Sequence, residues 1–314
     1  MSPTSTIRSM GKKSAKKDGR RKAVTASFFI DPVCPWGYSA SPALRVLEWR
    51  YRDQIAWEMV LIGLSRPGDP PLPFTPTQLA AMLVQFRDRF GMPFALEPKA
   101  RPYTSSRACE AIVACREVSP GSEWKALRAL QLLFFNTPLL PDDDQQIASA
   151  LGTVEGLDVD VVMATIDTKR VQAAYEADRK RSRSAAGSPS ELQGRTAESP
   201  EGIRYTAPTV IFSDGSTTLE AGGFQPIDAY DVIVANLDPS IRRFDPPSDP
   251  AEALSLYAGG LTTQEVAALL ATGIDKPDRA AAEKALIELV GEGQVSRVPL
   301  GNDALWIARG KGDS

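Results

Sequence analysis

Two short apolar runs lie near the start of the chain, Ala26 to Ile30 and Ile55 to Ile62, each bounded by turn-forming residues, and both read as strands. Between them Pro42 to Tyr51 has a helical pattern, and Pro35 suits a first helical turn, where its missing N–H is not needed. A helix therefore starts just after Cys34, although Gly37 and Pro42 weaken it. Strand, helix, strand places Cys34 at the carboxyl end of the first strand, where open α/β sheets form their sites.

From about residue 70 to 190 the pattern is helical. Thr75-Pro76 opens a helix that Gly91 and Pro93 close, and Ser105-Ser106 opens one with Ala108, Ala111, Ile112, Cys115 and Val118 on one stripe. Ser122 is expected to cap a third, and two more to follow Asp158 and Asp167. Strands resume at Thr209 to Phe212 and Thr217 to Glu220, joined by the hairpin signal Ser213-Asp214-Gly215-Ser216, and a helix runs from about Pro226 to Leu237. Residues 238 to 250 hold four prolines and mark a stiff linker. Beyond it, Thr262-Thr263-Gln264-Glu265 fits a capping box, a second helix spans roughly Asp278 to Val290, and Val295 to Ile307 forms a hairpin around Gly301-Asn302-Asp303. Helix, helix, hairpin is a winged-helix-like order. The expected organisation is a basic tail over residues 1–25, an α/β domain over 26–240 with a helical insertion at about 70–190, a linker over 241–250, and a small domain over 251–309.

Composition removes more chemistry than it adds. The chain has no histidine and three cysteines, at 34, 109 and 115, which excludes Ser-His-Asp and Cys-His catalysis and His-ligated zinc. The cysteine spacings fit neither a disulfide framework nor a Cys-only metal site, so no metal is expected and any cysteine chemistry is single-thiol chemistry. Residues 1–25 carry eight Lys or Arg against one Asp, whereas residues 251–314 carry six against nine. The C-terminal unit thus lacks the positive charge that phosphate contacts need; binding to nucleic acid is not expected of it, and contact with another protein or pairing into a homodimer is. No apolar run is long enough to span a membrane, and the basic start is not followed by a cleavable apolar segment, so a cytoplasmic location is expected.

Phe29-Ile30-Asp31-Pro32-Val33-Cys34-Pro35-Trp36, Ala207-Pro208-Thr209-Val210-Ile211-Phe212 and Ala221-Gly222-Gly223-Phe224-Gln225-Pro226 occur in that order around the helical insertion. Over about residues 26 to 240 they resemble the DsbA family of thioredoxin-fold proteins, in particular a FrnE-like branch that includes kappa-class glutathione transferases, 2-hydroxychromene-2-carboxylate isomerases and mycothiol-dependent enzymes. The resemblance implies a thioredoxin-like α/β fold. It makes Cys34 the attacking cysteine, Pro35 and Trp36 the dipeptide after it, and Pro208 the cis-proline that faces it, with Ala207 offering its backbone to substrate. Tyr38 is a further hydroxyl for the pocket. The departure from the family is Gly37, which stands where redox-active members carry a second cysteine.

Without that thiol, Cys34 has no neighbour to resolve a mixed disulfide. The expected activity is a thiol-dependent oxidoreduction through Cys34 alone, with a small thiol or disulfide as substrate. No tightly bound cofactor is expected, and mycothiol or glutathione would serve as co-substrate. A helix N-terminus after Cys34 is expected to lower its pKa. The alternatives are a noncatalytic ligand-binding or protein-interaction module on the same scaffold, and a winged-helix DNA-binding redox sensor.

Overall fold

The computed structural model describes residues 24–70, 74–273 and 275–310; the basic stretch before Val24 lies outside them. β1 (Val24–Ile30) is followed by α1 (Pro35–Ser39), α2 (Ser41–Tyr51) and β2 (Ile55–Leu61). Seven helices come next: α3 (Pro76–Phe90), α4 (Ser106–Val118), α5 (Ser122–Asn136), α6 (Asp144–Leu151), α7 (Val159–Thr165), α8 (Lys169–Ser182) and α9 (Pro189–Leu192). After a two-stranded hairpin, β3 (Thr196–Ser199) and β4 (Gly202–Tyr205), the chain returns to the sheet as β5 (Thr209–Ser213) and β6 (Thr218–Ala221), followed by α10 (Ile227–Leu237). The sheet has the order β2-β1-β5-β6, with β1 and β2 parallel and the remaining pairs antiparallel.

β1 shows why the site lies at its carboxyl end. Val24, Ala26 and Phe28 are buried while Thr25 and Ser27 are not, and then Phe29 and Ile30 are buried as well. The strand begins with one covered face and ends with two. α4 supplies part of that cover: Ala108, Cys109, Ala111, Ile112, Val113, Ala114 and Cys115 are all buried in it, so Cys109 and Cys115 are small apolar fillers in the main core. The exposed edge of β2 is closed by Asp178 of α8, whose carboxylate accepts from Leu61 N–H at 3.2 Å and pairs with Arg116 at 3.2 Å.

Some local expectations shift. α5 is capped by Gly121 and not Ser122, whose hydroxyl instead donates to Cys115 O at 3.0 Å. α8 is capped by Thr168 and not Asp167, which faces Arg107. The β3-β4 hairpin, α6 and α9 are short additions that the sequence reading does not announce.

The C-terminal unit consists of α11 (Pro250–Leu254), β7 (Leu261–Thr262), α12 (Thr263–Leu270), α13 (Arg279–Gly291), β8 (Val295–Leu300) and β9 (Asp303–Ala308), with a small antiparallel sheet of order β7-β9-β8. Its core is continuous with α2: Val46 and Trp49 pack among Leu254, Leu261, Val266, Leu269, Leu286 and Trp306. The proline-rich connection is not a free spacer. Phe244 N–H donates to Arg50 O at 2.9 Å, and the Trp49 indole N–H donates to Asp245 O at 2.7 Å, strapping it along the end of α2.

A buried acid joins the two units. Glu265 closes the capping box of α12, its carboxylate accepting from Thr262 N–H at 2.8 Å, and the same carboxylate takes both arms of the Arg128 guanidinium of α5 at 2.7 and 2.6 Å and the Ser41 hydroxyl. Burial opposes its charge, yet Arg128 and Arg45 prevail and hold it at about 2. At the far end of the unit, Asn302 Oδ1 in the β8-β9 turn accepts from Phe94 N–H at 3.0 Å. Beside it Gly301 has φ +54, and a Cβ there would stand 2.4 Å from Asn136 Oδ1 and 3.0 Å from the Phe94 carbonyl carbon, so only glycine fits. The hairpin tip is seated on the helical insertion.

Candidate functional site around Cys34

Where β1 ends, Asp31-Pro32-Val33 turns the chain and Cys34 N–H donates to Asp31 O at 3.1 Å. Cys34 is the N-cap residue of α1, with Pro35 at the first helical position and Tyr38 N–H returning to Cys34 O at 3.0 Å. Opposite it lies the Ala207–Pro208 peptide bond, which is cis. The Cys34 thiol donates across the gap to Ala207 O at 3.2 Å. Thr209 ties the remaining motif in, its hydroxyl donating to Thr206 O at 2.7 Å and accepting from Gly223 N–H at 3.1 Å. The three separated sequence motifs meet here.

Asp31, which motif reading quotes but gives no role, is the centre of the floor. It is fully buried. Its carboxylate accepts from Val33 N–H at 3.0 Å, Leu64 N–H at 2.8 Å and the Ser105 hydroxyl at 2.9 Å, with the Cys109 thiol at 3.6 Å. Burial outweighs these donors and raises its pKa above the usual carboxylate range. The available signal was an acid closing an apolar run, Phe28-Phe29-Ile30-Asp31.

Burial works against the expected activation of Cys34. Its side chain is 7% exposed, and burial is the largest influence on it, followed by the Gly37 amide, which favours thiolate, and the charge of Asp31, which opposes it; the balance pushes the thiol up to about 11. α1 is one short turn, so its amides cannot offset the removal of water. Cys34 is therefore a protonated donor near neutral pH.

Gly37 is buried, and a Cβ there would stand 2.3 Å from Ile30 Cδ1, so a second thiol would require the end of the Ile30 side chain to shift. Of the other residues expected in the pocket, Pro35 is half-buried and Ala207 and Pro208 are buried in the facing wall. Trp36 is 40% exposed and stands edge-on to Phe86, Phe90 and Phe224 at 4.9, 5.5 and 5.8 Å between ring centroids. Tyr38 is misplaced by the sequence reading. It is fully buried beneath α1, stacked on Phe135 and edge-on to Phe94, with its hydroxyl accepting from Asn136 Nδ2 at 3.0 Å, and it cannot meet a substrate. A residue four beyond Cys34 follows the helix onto its inner face. Among the described residues no cluster of Cys, Asp and Glu has the arrangement of a metal site, and no helix is long and apolar enough to cross a membrane.

Residues 25–191 match the model of the DSBA-like thioredoxin domain family. Two solved structures share the fold: one from Nitrosomonas europaea assigned as a protein disulfide isomerase, with a TM-score of 0.53 at 16% identity over 68% of this chain and 96% of that one, and the cytosolic disulfide reductase DsbM of Pseudomonas aeruginosa, with a TM-score of 0.50 at 14% identity over 69% and 100%. A curated relative, the ClpXP adapter protein SpxH of Shouchella clausii, is 24% identical over 302 residues, 91% of this chain and 89% of its own. An alignment of that extent reaches into the C-terminal unit.

Proposed function

This chain belongs to the DSBA-like thioredoxin family, and from that membership we propose that it is a noncatalytic, adapter-type interaction protein that uses the family's substrate groove to hold a partner protein without exchanging disulfides with it. The observation that carries this reading is the buried Cys34 thiol, donated to Ala207 O at 3.2 Å and kept protonated. A thiolate is the nucleophile in disulfide exchange, and here neither it nor a resolving thiol is provided. The Trp36 platform supports the same reading, because exposed Trp and Phe are the side chains that anchor protein interfaces. The seating of the hairpin tip on the helical insertion speaks against a DNA-reading role for the C-terminal unit. The curated relative adds a candidate for the second partner: a ClpXP-type protease, to which a held protein would be delivered.

The second reading is a thiol-dependent oxidoreductase using Cys34 with glutathione or mycothiol, favoured by the amides of Trp36 and Gly37 directed at the sulfur. One pair of measurements separates the two: reduction of insulin disulfides in the presence of glutathione, and binding to ClpX, each for the full chain and for Cys34→Ser. We expect no turnover above the Cys34→Ser protein, and ClpX binding that the substitution leaves unchanged. Cys34-dependent turnover would overturn the adapter reading and establish the second.

A further inference from the structure

Arg204, in the β3-β4 hairpin that sequence reading passes over, is a half-buried guanidinium without an acid. Among the described residues, every other arginine withdrawn from solvent has a carboxylate within 4.0 Å or, for Arg52, the rings of Trp49 and Phe244. Arg204 donates only to its neighbour's carbonyl, Tyr205 O, at 3.2 Å. The nearby acid is Asp31, whose oxygens are already taken by Val33, Leu64 and Ser105. No nitrogen of this guanidinium is buried without a hydrogen bond, so solvent, and hence an incoming acid, can reach its planar fork of donors.

The surroundings show what would match them. Arg204 leads directly into Thr206-Ala207-Pro208, the wall that faces Cys34. Arg195 stands across the hairpin, its carbonyl accepting from the Thr206 hydroxyl at 2.8 Å and its side chain lying along Gly223, where a Cβ would stand 3.3 Å from Arg195 Cδ. Arg195 is exposed and likewise has no ion pair among the described residues. Phe224, next in the chain, begins the aromatic platform with Phe90 and Trp36. The surface around Cys34 thus brings a cationic corner near a set of aromatic rings.

We propose that Arg204, with Arg195 beside it, is the anion receptor of the Cys34 groove, and that it takes the carboxylate of an Asp or Glu on an extended segment of the partner protein, whose apolar side chains lie on the Trp36 platform. This rests on the interaction reading above and names its partner's chemistry. The guanidinium fork accepts a carboxylate through two parallel charge-assisted bonds, which fixes register as well as sign. Four aromatic rings beside it favour a peptide over a small free acid, which would leave them uncovered.

The test is selection of random short peptides displayed against the full chain, followed by binding of the winners to the full chain and to Arg204→Gln, Arg204→Lys and Trp36→Ala, at low and high salt, with glutathione and acetate as competitors. We expect winners rich in Asp or Glu next to apolar residues, weakened about tenfold by Arg204→Gln and less by Arg204→Lys, and weakened by salt. Thermal unfolding of each variant confirms that it folds. Winners that need Trp36 but not an acid or Arg204 would overturn this proposal and leave the interaction reading standing. Glutathione or acetate binding that depends on Arg204, with no peptide selected, would overturn the peptide assignment, and no binding at all would overturn both readings.

Discussion

Asp31 and Glu265 are both carboxylates with no solvent exposure, and each gathers several hydrogen-bond donors, yet their pKa values move in opposite directions. Burial wins at Asp31 and raises its pKa, whereas Glu265 is held at about 2. The difference is Arg128, which presents both arms to Glu265, while Arg204 near Asp31 has no carboxylate partner among the described residues. Burial alone therefore does not decide which way a buried acid's pKa moves; an aligned guanidinium does. The completed pair is structural and fastens two units together. The incomplete one sits beside the groove, where an outside group can complete it.

The comparison breaks most severely at Arg128. Arg128→Met should strand the Glu265 charge and lower the unfolding free energy by ~3–5 kcal/mol, measured by denaturant titration, whereas the double change with Glu265→Leu should recover much of it. If Arg128→Met costs nothing, the pair does not fasten the units.

Next is the reactivity of Cys34, read in Cys109→Ser/Cys115→Ser protein. With its thiol pushed up to about 11, alkylation at pH 7.5 should run about 300-fold slower than for a free cysteine of pKa near 8.5, from the smaller thiolate fraction alone. Asp31→Asn should move the alkylation midpoint down, since the Asp31 charge opposes the thiolate. A midpoint below 8.5 in the parent protein would reverse the assignment of the site.

The two acids should also bend the pH dependence of stability in opposite directions. Glu265 has a folded pKa below its unfolded value, so the folded state binds fewer protons; its stabilisation, on the order of 3 kcal/mol, is present above about pH 4.3 and lost as pH falls towards 2. Asp31 has a folded pKa above its unfolded value, so its burial penalty is relieved as pH falls through the folded pKa. The stability difference between the parent protein and Glu265→Gln should therefore shrink on acidification, while the difference from Asp31→Asn should grow. Curves that move together would contradict the contrast.

The smallest effect concerns Gly37. Gly37→Cys restores the second thiol but drives its Cβ onto Ile30 Cδ1, at a cost of ~1–3 kcal/mol that Ile30→Val should partly recover. A gain of insulin-disulfide reduction in the double variant would show that the groove still accepts disulfide substrates.

Local rules made much of this legible in advance. The capping box Thr262–Glu265 and the opening Thr75-Pro76 are each written within a few consecutive residues, and each begins the helix it announces; the second also proves to be a capping box, closed by Gln78. The convergence of Cys34 with Ala207 and Pro208, 173 residues apart for the hydrogen-bonded pair, was reachable only through the family likeness. What stayed hidden was nonlocal. Glu265 reads as a cap; that it also meets Arg128, 137 residues earlier, depends on how α12 lies on α2 and α5. The helix-terminus argument for a reactive Cys34 holds for an exposed thiol; here desolvation, a property of the whole packing, opposes it. Arg204 gave no signal, since its meaning is a missing partner.

The docking of the C-terminal unit on α2 and the helical insertion has a consequence for how the chain is made. Val46, Trp49 and the Arg128 corner are synthesised long before Leu261, Glu265 and Trp306, which cover them. At ordinary ribosomal speeds the interval from Pro250 to Trp306 is roughly 3–11 s, during which the nascent thioredoxin unit displays an uncovered indole and an unpaired guanidinium. A chaperone that recognises this face would have its opportunity in that window, and release of the final hairpin from the ribosome would end it.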